Sequence, residues 1–392
     1  MEKREQLSKV FMTFIVTLWF SMEILFNSKL EHVFMWPSED VNAFIAKLVF
    51  ALLLMEIIFF QKYTTREIIV VIALSIPVII GTLNSNNNMM ISTIMFIVAS
   101  KYIDFDKMIH IVYAVLVVMV ALVLYLYFSG LMDEVTSYRG TILRHSWGFN
   151  HPNWLGIRMF QIAIMQFYIY RKKIRWWNYA IVMAASYFVY KVPNSKTACY
   201  ALIIFLILLC VYRIFSRFEN GTFIFAKGLI VISIVANVGS VFLSLIDVKK
   251  YALLRAFDYI MSNRFSCCYR TIRYYGISLL GQNIELIGRK QGVNVHFFYL
   301  DTSYVAILIR YGAIVYIFFS VLYIASMWYA LRRKKYILLM ILAMYAIYGI
   351  MENSFYSMTQ NVFLLALAFP IYSIGIASEE DSIKGKVTFR FI

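Results

Sequence analysis

Apolar runs about as long as a lipid bilayer is thick recur along this sequence, and they constrain its fold more than any other feature. Hydrophobic residues make up 62% of the 392 residues, well above the share of a soluble globular chain. Because a transmembrane helix needs roughly 20 predominantly apolar residues, the chain must be a polytopic membrane protein. The candidate spans lie near residues 10–26, 41–60, 68–83, 89–100, 108–128, 153–170, 178–192, 197–212, 228–246, 301–322, 336–350 and 361–377.

These runs predict an all-α polytopic membrane protein with about 12 transmembrane helices. We expect residues 1–392 to form a single integral membrane domain, since the spans consume most of the chain. The run Val10–Phe26 lacks a small-residue cleavage site, so we expect it to remain as the first span. The fourth run is short, and two of the candidates are alternatively half-spans or re-entrant segments.

Lysine and arginine are distributed unevenly over the short loops, and this asymmetry predicts the orientation of the chain. With the N-terminus inside the cell, the inner segments hold 21 of these residues and the short outer segments hold 4. We therefore expect a multi-pass protein of the plasma membrane with both termini in the cytoplasm. The inner segments are 1–9, 61–67, 101–107, 171–175, 213–227, 331–335 and 378–392, and the short outer segments are 27–40, 84–88, 129–152, 193–196 and 351–360.

The formal net charge of +16 would suggest a nucleic-acid partner if the protein were soluble. Here lysine and arginine at the inner ends of the spans account for most of that charge, so we expect no nucleic-acid partner. The sequence contains no Walker-type GxxxxGK[ST], no dinucleotide-binding GxGxxG and no HExxH, so nothing in it predicts a cofactor or a metal. The four cysteines lack zinc-ligand spacing and are expected to be free thiols.

Residues 247–300 separate two apolar runs and are predicted to form one large loop outside the cell. Long loops cross the membrane largely regardless of charge, so the basic residues of this loop need another explanation. We expect short interfacial helices near Tyr251–Tyr259 and Tyr269–Leu280, where aromatic, aliphatic and basic residues are mixed. A basic surface outside the cell favours an anionic, lipid-linked partner. The cations of the loop are Lys249, Lys250, Arg255, Arg264, Arg270, Arg273, Arg289 and Lys290.

The first candidate site is the motif RHSWGFNHPN, at residues 144–153, beside the predicted outer mouth of the sixth span. Pro152 suits the first turn of a helix, where its missing N–H costs nothing, and it favours extended geometry for His151. An arginine, two histidines and two asparagines at this level would bind phosphate and accept a proton. The alternative is a polar capping turn with incidental histidines. The candidate residues of the motif are Arg144, His145, His151 and Asn153.

Two further motifs place cations at the predicted outer face. KVPNSKTACY, at residues 191–200, indicates a tight turn that does not itself require Lys196, so this lysine either contacts an anionic headgroup or is incidental. In SNRFSCCYRTIRYYG, Arg270 and Arg273 share a face if the stretch is helical, and Arg264 lies somewhat off that face. Arginine suits bidentate phosphate contacts better than lysine does. Solubility and contacts with lipid headgroups are the alternative explanation.

The motif YLDTSYVAILIRYGAI, at residues 299–314, combines a carboxylate with an arginine. We expect Asp301 to start the tenth span and Arg310 to lie about two and a half turns inside it. An arginine at that depth is costly unless it is paired or faces a wet cavity, so Arg310 is either functional or part of a structural ion pair. Glu352, before the twelfth span, adds a carboxylate at the same outer level.

Taken in order, SWGFNHPNWLG, VPNSKTACY and YLDTSYVAILIRYGAI resemble the O-antigen and capsule polysaccharide polymerases of the Wzy type, and the Firmicute branch in particular. The usual pattern of that family is a G-F-x-H-P-N turn, then N-S-R-T, then an arginine-bearing outer loop and D-x-x-Y at the next span. The matches cover about 40 to 50 residues between Trp147 and Gly312. The sequence departs in having Lys196 where arginine is common and Asn263 before Arg264 where glycine is frequent. Lysine lacks the bidentate fork.

The resemblance implies a glycosyltransferase that acts outside the cell and needs no cofactor. It would take a growing glycan from undecaprenyl pyrophosphate and pass it to the next lipid-linked repeat unit. The implied partners are that lipid-linked oligosaccharide, the bilayer, a flippase and a chain-length regulator. We expect the proton acceptor to be His151 first, or otherwise His145, Asp301 or Glu352. The expected contacts to pyrophosphate and glycan are Arg144, Asn153, Lys196, Arg264, Arg270, Arg273 and Arg310.

Two other functions remain open at this stage. A glycan ligase of the same superfamily would move the glycan to a lipid or wall acceptor, and the sequence does not separate it well from a polymerase. A flippase or transporter of lipid-linked oligosaccharide should carry charged residues along its spans at midplane depth. In this sequence the candidate charged residues lie mainly at the predicted outer interface rather than at midplane depth, which favours an enzyme.

Overall fold

The computed structural model describes residues 2–30, 38–285 and 300–373, and these residues are predominantly α-helical. The only strands among them form a short antiparallel hairpin, β1 (Ser137–Arg139) and β2 (Ile142–Arg144). The all-α prediction is therefore confirmed for the part of the chain that the structure describes. The α-helices are α1 (Glu2–Phe26), α2 (Ser38–Met55), α3 (Thr65–Ser85), α4 (Met89–Ala99), α5 (Phe105–Phe128), α6 (Pro152–Ile169), α7 (Trp176–Lys191), α8 (Lys196–Phe215), α9 (Gly221–Leu245), α10 (Ala252–Ile260), α11 (Arg264–Tyr275), α12 (Ser303–Arg310), α13 (Ala313–Arg332), α14 (Tyr336–Tyr348) and α15 (Ala368–Tyr372).

Seven helices in the described ranges are long and apolar enough to cross a membrane, which identifies a multi-pass membrane protein. Three shorter apolar helical stretches accompany them, Met89–Ala99, Tyr336–Tyr348 and Val362–Tyr372. The count of about 12 spans stays a prediction, because these shorter stretches do not reach spanning length by themselves. The seven long segments are Lys3–Phe26, Asp40–Phe60, Thr65–Ser85, Phe105–Phe128, Lys196–Phe215, Gly221–Leu245 and Ala313–Arg332.

Helix starts follow local sequence signals. Thr64 and Glu67 form a capping box at the start of α3, in which each side chain accepts a hydrogen bond from the backbone of the other residue. Asp104 caps α5 by accepting from the Lys107 amide at 3.1 Å. Helix α6 begins at Pro152, as its sequence predicts. These caps satisfy amide groups that have no partner inside the helix.

The described chain divides into two compact units. The first unit contains the chain up to Lys62 together with Val98–Arg217, and it includes α1, α2 and α5 to α8. The second unit contains Tyr63–Ile97 and the described residues from Phe218 onward, with α3, α4 and α9 to α15. The prediction of one integral membrane domain stays a prediction.

Hydrogen bonds between loops of the first unit join predicted outer segments to each other and predicted inner segments to each other. At one end, the Asn150 amide donates to the Asn27 carbonyl at 2.9 Å, and the His145 amide donates to the Val192 carbonyl at 3.1 Å. At the other end, Lys101 donates to the Lys62 carbonyl. The predicted outer segments thus share one end and two predicted inner segments share the other, while the side of the membrane that each end faces stays a prediction.

The predicted tenth span, residues 301–322, is not one helix. Helix α12 ends at Arg310, Gly312 adopts a φ of +95°, and the spanning helix α13 begins at Ala313. With 20 residues, α13 is about 30 Å long and needs no help from α12 to cross a bilayer. The expectation that Arg310 lies two and a half turns inside one continuous spanning helix is therefore wrong, because α12 ends at Arg310, before the spanning helix begins.

An extended segment after α11 runs along the break between α12 and α13. The Ala313 amide donates to the Ser278 carbonyl at 3.0 Å, and the Gln282 amide donates to the Arg310 carbonyl at 3.0 Å. The segment thereby satisfies backbone groups that the helix break exposes. The predicted interfacial helix Tyr269–Leu280 is correct only up to Tyr275, where α11 ends.

Three glycines, Gly81, Gly281 and Gly312, let α3, the extended segment and the helix break approach each other closely. A Cβ atom added to Gly81, on α3, would lie 2.6 Å from the Tyr311 carbonyl oxygen. A Cβ atom on Gly281 would lie 2.5 Å from the Arg310 carbonyl oxygen, and Gly281 has a φ of +86°. Both the space and the backbone conformation therefore require glycine at position 281.

Gly281→Ala is expected to lower the thermal stability of the purified protein strongly. The added methyl group meets backbone atoms that cannot rotate away, and overpacking adds about 1–3 kcal/mol to the cost of the positive φ. Gly276→Ala is the matched control, because Gly276 also has a positive φ, +74°, but has open space where a Cβ would lie. Size-exclusion fluorescence after heating checks the difference, and equal stability of the two variants would contradict the crowded crossing.

The predicted twelfth span, 361–377, is only partly helical where the structure describes it. A 3-10 turn covers Val362–Leu367 and is followed by the short α15, which ends at Tyr372. Residues 374–377 lie outside the described residues. The described part is buried within the second unit.

Candidate functional site

Two segments of the second unit, one before α12 and one after α14, are joined by hydrogen bonds. The Ser303 amide donates to the Gly349 carbonyl at 2.9 Å, and the Ser303 hydroxyl donates to the Glu352 carbonyl. This pairing brings the carboxyl groups of Asp301 and Glu352 close to each other, although the two residues are 51 positions apart in the sequence.

The guanidinium of Arg264 lies between these carboxyl groups. Its Nε is 3.7 Å from Asp301 Oδ2, and its Nη2 is 3.3 Å from Glu352 Oε1. The Arg264 side chain is 14% exposed, compared with 44% for Asp301 and 24% for Glu352. Its Nη1 is buried and has no hydrogen-bond acceptor among the described residues. We call these three residues the arginine–carboxylate cluster.

A tight turn between α10 and α11 fixes the position of Arg264, the first residue of α11. Ser262 and Asn263 both have a φ of +62°, so the chain reverses through two successive left-handed residues. The buried Asp258 then accepts a hydrogen bond from the Phe265 amide at 2.9 Å. A carboxylate at a helix N-terminus satisfies free amides and interacts favourably with the helix dipole. Asp258 thus holds the helix start that carries Arg264.

Burial and neighbouring charges have opposing effects on the pKa values of Arg264 and Asp301. The charges dominate at Arg264, whereas burial dominates at Asp301. Burial lowers the pKa of Arg264, but the neighbouring carboxylates of Glu352 and Asp301 outweigh it, so the pKa is raised and the guanidinium stays charged. Burial raises the pKa of Asp301, and Arg264 only partly opposes this rise, to which Glu352 adds. A carboxylate with a raised pKa accepts a proton more readily than an ordinary aspartate.

The other two arginines of α11 differ in their surroundings. The stretch is helical, as the shared-face prediction requires, so Arg270 and Arg273 lie three residues apart on one helix. Arg270 is partly buried and donates from Nη2 to the Cys267 sulfur at 3.2 Å, whereas Arg273 is exposed. Of the two, Arg273 is the more accessible to a ligand.

The four cysteines are free thiols, as their spacing predicts. Cys268 is buried on α11, where burial raises its pKa to about 12. Its thiol also hydrogen-bonds with Thr302, next to Asp301. A thiol with so high a pKa carries almost no thiolate at neutral pH and is a poor nucleophile.

Arg310 lies away from the arginine–carboxylate cluster. Asp301 precedes the start of α12 and Arg310 is its last residue, so about 12 Å of helix separates the two positions. The Arg310 Nε is buried without a hydrogen-bond acceptor among the described residues. The structure therefore does not bring Arg310 together with the other predicted groups of this unit.

In the first unit, Arg144 holds a turn in place. Its Nε donates to the Pro193 carbonyl at 2.9 Å, and its Nη2 donates to Asn153 Oδ1. Arg144 itself is buried. The pair of Arg144 and Asn153 thus ties the turn before α8 to the first turn of α6, which is a structural role for both side chains.

His145 is oriented by a carboxylate that the sequence motifs did not single out. Its Nδ1 lies 3.1 Å from both oxygens of Glu134. The same carboxylate accepts from the Ser146 amide at 3.0 Å and from the Tyr127 hydroxyl at 3.2 Å. With Nδ1–H donating to Glu134, the lone pair of a neutral His145 is at Nε2.

His151 caps helix α6. Its Nδ1 accepts a hydrogen bond from the Asn153 amide at 3.0 Å, and its backbone is extended, as expected before a proline. A neutral histidine that accepts at Nδ1 carries its proton at Nε2. In this geometry Nε2 of His151 is a donor, which suits the capping-turn alternative better than proton acceptance.

Lys196 is the first residue of α8 and is exposed. The turn before it packs closely on α6, since a Cβ added to Gly156 would lie 2.6 Å from the Ser195 Cβ. The side-chain hydrogen bonds to the carbonyls of this turn come from Arg139, to Asn194, and from Arg144, to Pro193.

The predicted site residues that contact each other form two separate groups, one in each unit. Arg264, Asp301 and Glu352 form one cluster in the second unit, and Arg144 with Asn153 forms a pair in the first. Among the described residues, no group of three or more histidine, cysteine, aspartate or glutamate side chains is placed to hold a metal ion. No protein-family model, no curated protein and no solved structure matches this chain. Functional assignment therefore depends on the chemistry of these groups.

Proposed function

We propose that the protein is an extracytoplasmic polysaccharide polymerase of the Wzy type. It transfers a growing glycan from undecaprenyl pyrophosphate to the next lipid-linked repeat unit. The observation that carries the proposal is the arginine–carboxylate cluster, in which an arginine with one unsatisfied N–H group lies beside a half-exposed carboxylate. Multi-pass membrane association and the motif order that resembles these polymerases support it.

The cluster contains the two kinds of group that this transfer requires. Arg264 Nη1 would donate to a pyrophosphate oxygen, and a preorganised cation at a developing negative charge is among the largest catalytic effects known in enzymes. Asp301 would accept the proton of the acceptor hydroxyl, since its pKa is raised and its side chain is accessible. Glu352 holds the other side of the guanidinium.

The proposed step balances without a further reactant. The acceptor hydroxyl oxygen bonds to the anomeric carbon of the donor sugar, and its proton passes to Asp301. The bond from the anomeric carbon to the pyrophosphate oxygen breaks, and that electron pair leaves with the pyrophosphate. Arg264 stabilises the charge on the leaving group, with Arg273 as a further accessible cation on the same helix.

This proposal gives the predicted residues different roles. The proton acceptor becomes Asp301 rather than His151, because Nδ1 of His151 accepts from the Asn153 amide and Nε2 is then a donor. Arg144 and Asn153 become structural, because they bind each other and the turn before α8. The placement of the cluster outside the cell, and the flippase and chain-length regulator as partners, remain part of the proposal.

Glycan length in a strain that lacks the gene tests the proposed function. Loss of long polymer with accumulation of single lipid-linked repeats, restored by the wild-type gene, is the expected result, because polymerisation is the step removed. Gel profiling of extracted glycans measures it. Long polymer that is made but not attached to its final acceptor would indicate a ligase, and repeats trapped on the inner face would indicate a flippase; either result contradicts the proposal.

A further inference from the structure

Helix α10 is almost uncovered by the rest of the protein. Leu253, Tyr259 and Ile260 are 82%, 77% and 71% exposed, and Asp258 is the only buried residue of the helix. A nine-residue helix is marginal in water, and large apolar side chains exposed on one short element mark an interaction surface. The outward surface of α10 therefore needs an apolar environment.

Around this helix the exposed cations outnumber the exposed carboxylates, since Asp247 is half-buried as the cap of the turn before Lys249 and Glu285 lies exposed at the far end of the segment. Within residues 248–284, which the structure describes completely, the one carboxylate, Asp258, is buried as the cap of α11. No other aspartate or glutamate occurs in this range. The exposed charged residues are Lys249, Lys250, Arg255 and Arg273.

The position of α10 brings this surface close to a bilayer. The spanning helix α9 ends at Leu245 and α10 begins at Ala252, so the extended chain cannot place them more than about 25 Å apart. The apolar side chains of α10, with Tyr259 and the preceding Tyr251, match the acyl and interfacial levels. Arg255 and the two lysines of the preceding turn, Lys249 and Lys250, match anionic headgroups. A soluble acidic partner would not need this proximity to a spanning helix.

We propose that α10 and the preceding turn, residues 248–260, form a docking surface for anionic phospholipids of the bilayer. The apolar side chains insert at the interface, and Lys249, Lys250 and Arg255 hold the headgroup phosphates. The proposal is independent of glycan transfer, because it concerns the surrounding lipid and not the substrate.

An environment-sensitive NBD label at position 253 tests the docking surface in the full-length protein. Leu253→Cys is made with Cys210→Ser and Cys267→Ser, and the protein is placed in nanodiscs of phosphatidylcholine alone or mixed with phosphatidylglycerol. Without phosphatidylglycerol the label is expected to be only partly inserted. With it, quenching by shallow spin-labelled lipid should rise by about twofold or more, because each cation adds to attraction by an anionic surface.

Charge-neutral variants separate the docking surface from general basicity. Lys249→Gln with Lys250→Gln and Arg255→Gln should abolish the dependence on phosphatidylglycerol. Lys172→Gln with Lys173→Gln and Arg175→Gln removes the same residue types from another exposed basic run and should leave the dependence unchanged.

Three results would overturn the proposal. They are a label in water in both kinds of nanodisc, equal insertion in both, and insertion that responds to added undecaprenyl pyrophosphate instead of phosphatidylglycerol. The last result would assign the surface to the lipid carrier. The first two results leave the proposed polymerase function untouched, because they concern only the surrounding phospholipid.

Discussion

Replacing Arg264 by alanine is expected to reduce polymer synthesis by about 100-fold or more while the protein still inserts in the membrane. The variant loses the N–H group proposed to contact pyrophosphate, and removal of one preorganised donor typically costs about 10²–10³ in rate. It also leaves Asp301 and Glu352 facing each other without the cation that they share. Glycan length profiles of complemented deletion strains, normalised to protein in the membrane fraction, measure the effect.

Two further variants make the Arg264 result interpretable. Arg264→Lys keeps the charge but cannot reach both carboxylates with a planar fork, so we expect an intermediate loss. Arg217→Ala removes an exposed arginine after α8 and should leave chain length unchanged. Normal polymer length in the Arg264→Ala strain, at wild-type protein level, would contradict the role of the cluster.

The parts of the fold that depend on local sequence could be predicted. Apolar runs of spanning length became helices, and α6 begins at Pro152, because hydropathy and capping act over one turn to a few turns. The break at Gly312 was missed since the run 301–322 is predominantly apolar on both sides of it. A glycine inside such a run is a weak signal, and its meaning here depends on the extended segment that crosses it.

The sequence indicates which residues are candidates for the site, but it does not indicate which of them contact each other. Arg264, Asp301 and Glu352 were each candidates, yet their contact depends on a pairing of two segments that no local pattern encodes. Asp258 was missed because its role as a cap depends on a turn through two left-handed residues. Glu134 was missed for the same kind of reason, since it lies outside the histidine motif that it orients.

Asp301→Asn is expected to lower the rate of glycan transfer by about 10²–10⁴, the usual contribution of a general base. Asparagine keeps the size and polarity of the side chain, so the loss should appear with little change in the amount of folded protein. Transfer measured with purified protein and lipid-linked repeats checks this prediction. Near-normal transfer by Asp301→Asn would exclude Asp301 as the proton acceptor.

The pH dependence of transfer distinguishes a base from a residue that only supports the structure. A base must be ionised, so activity should fall as the pH falls through the pKa of Asp301. Because that pKa is raised, the fall should begin at a higher pH than the pKa of a free aspartate, about 3.9, would give. Glu352→Gln removes a carboxylate that raises this pKa, so the acid limb should move to lower pH. Arg264→Lys weakens the interaction that lowers the pKa of Asp301, so the acid limb of its residual activity should move to higher pH. Opposite shifts in these two variants are expected only if Asp301 titrates in the rate-limiting step, and an acid limb that moves in neither variant would place the base elsewhere.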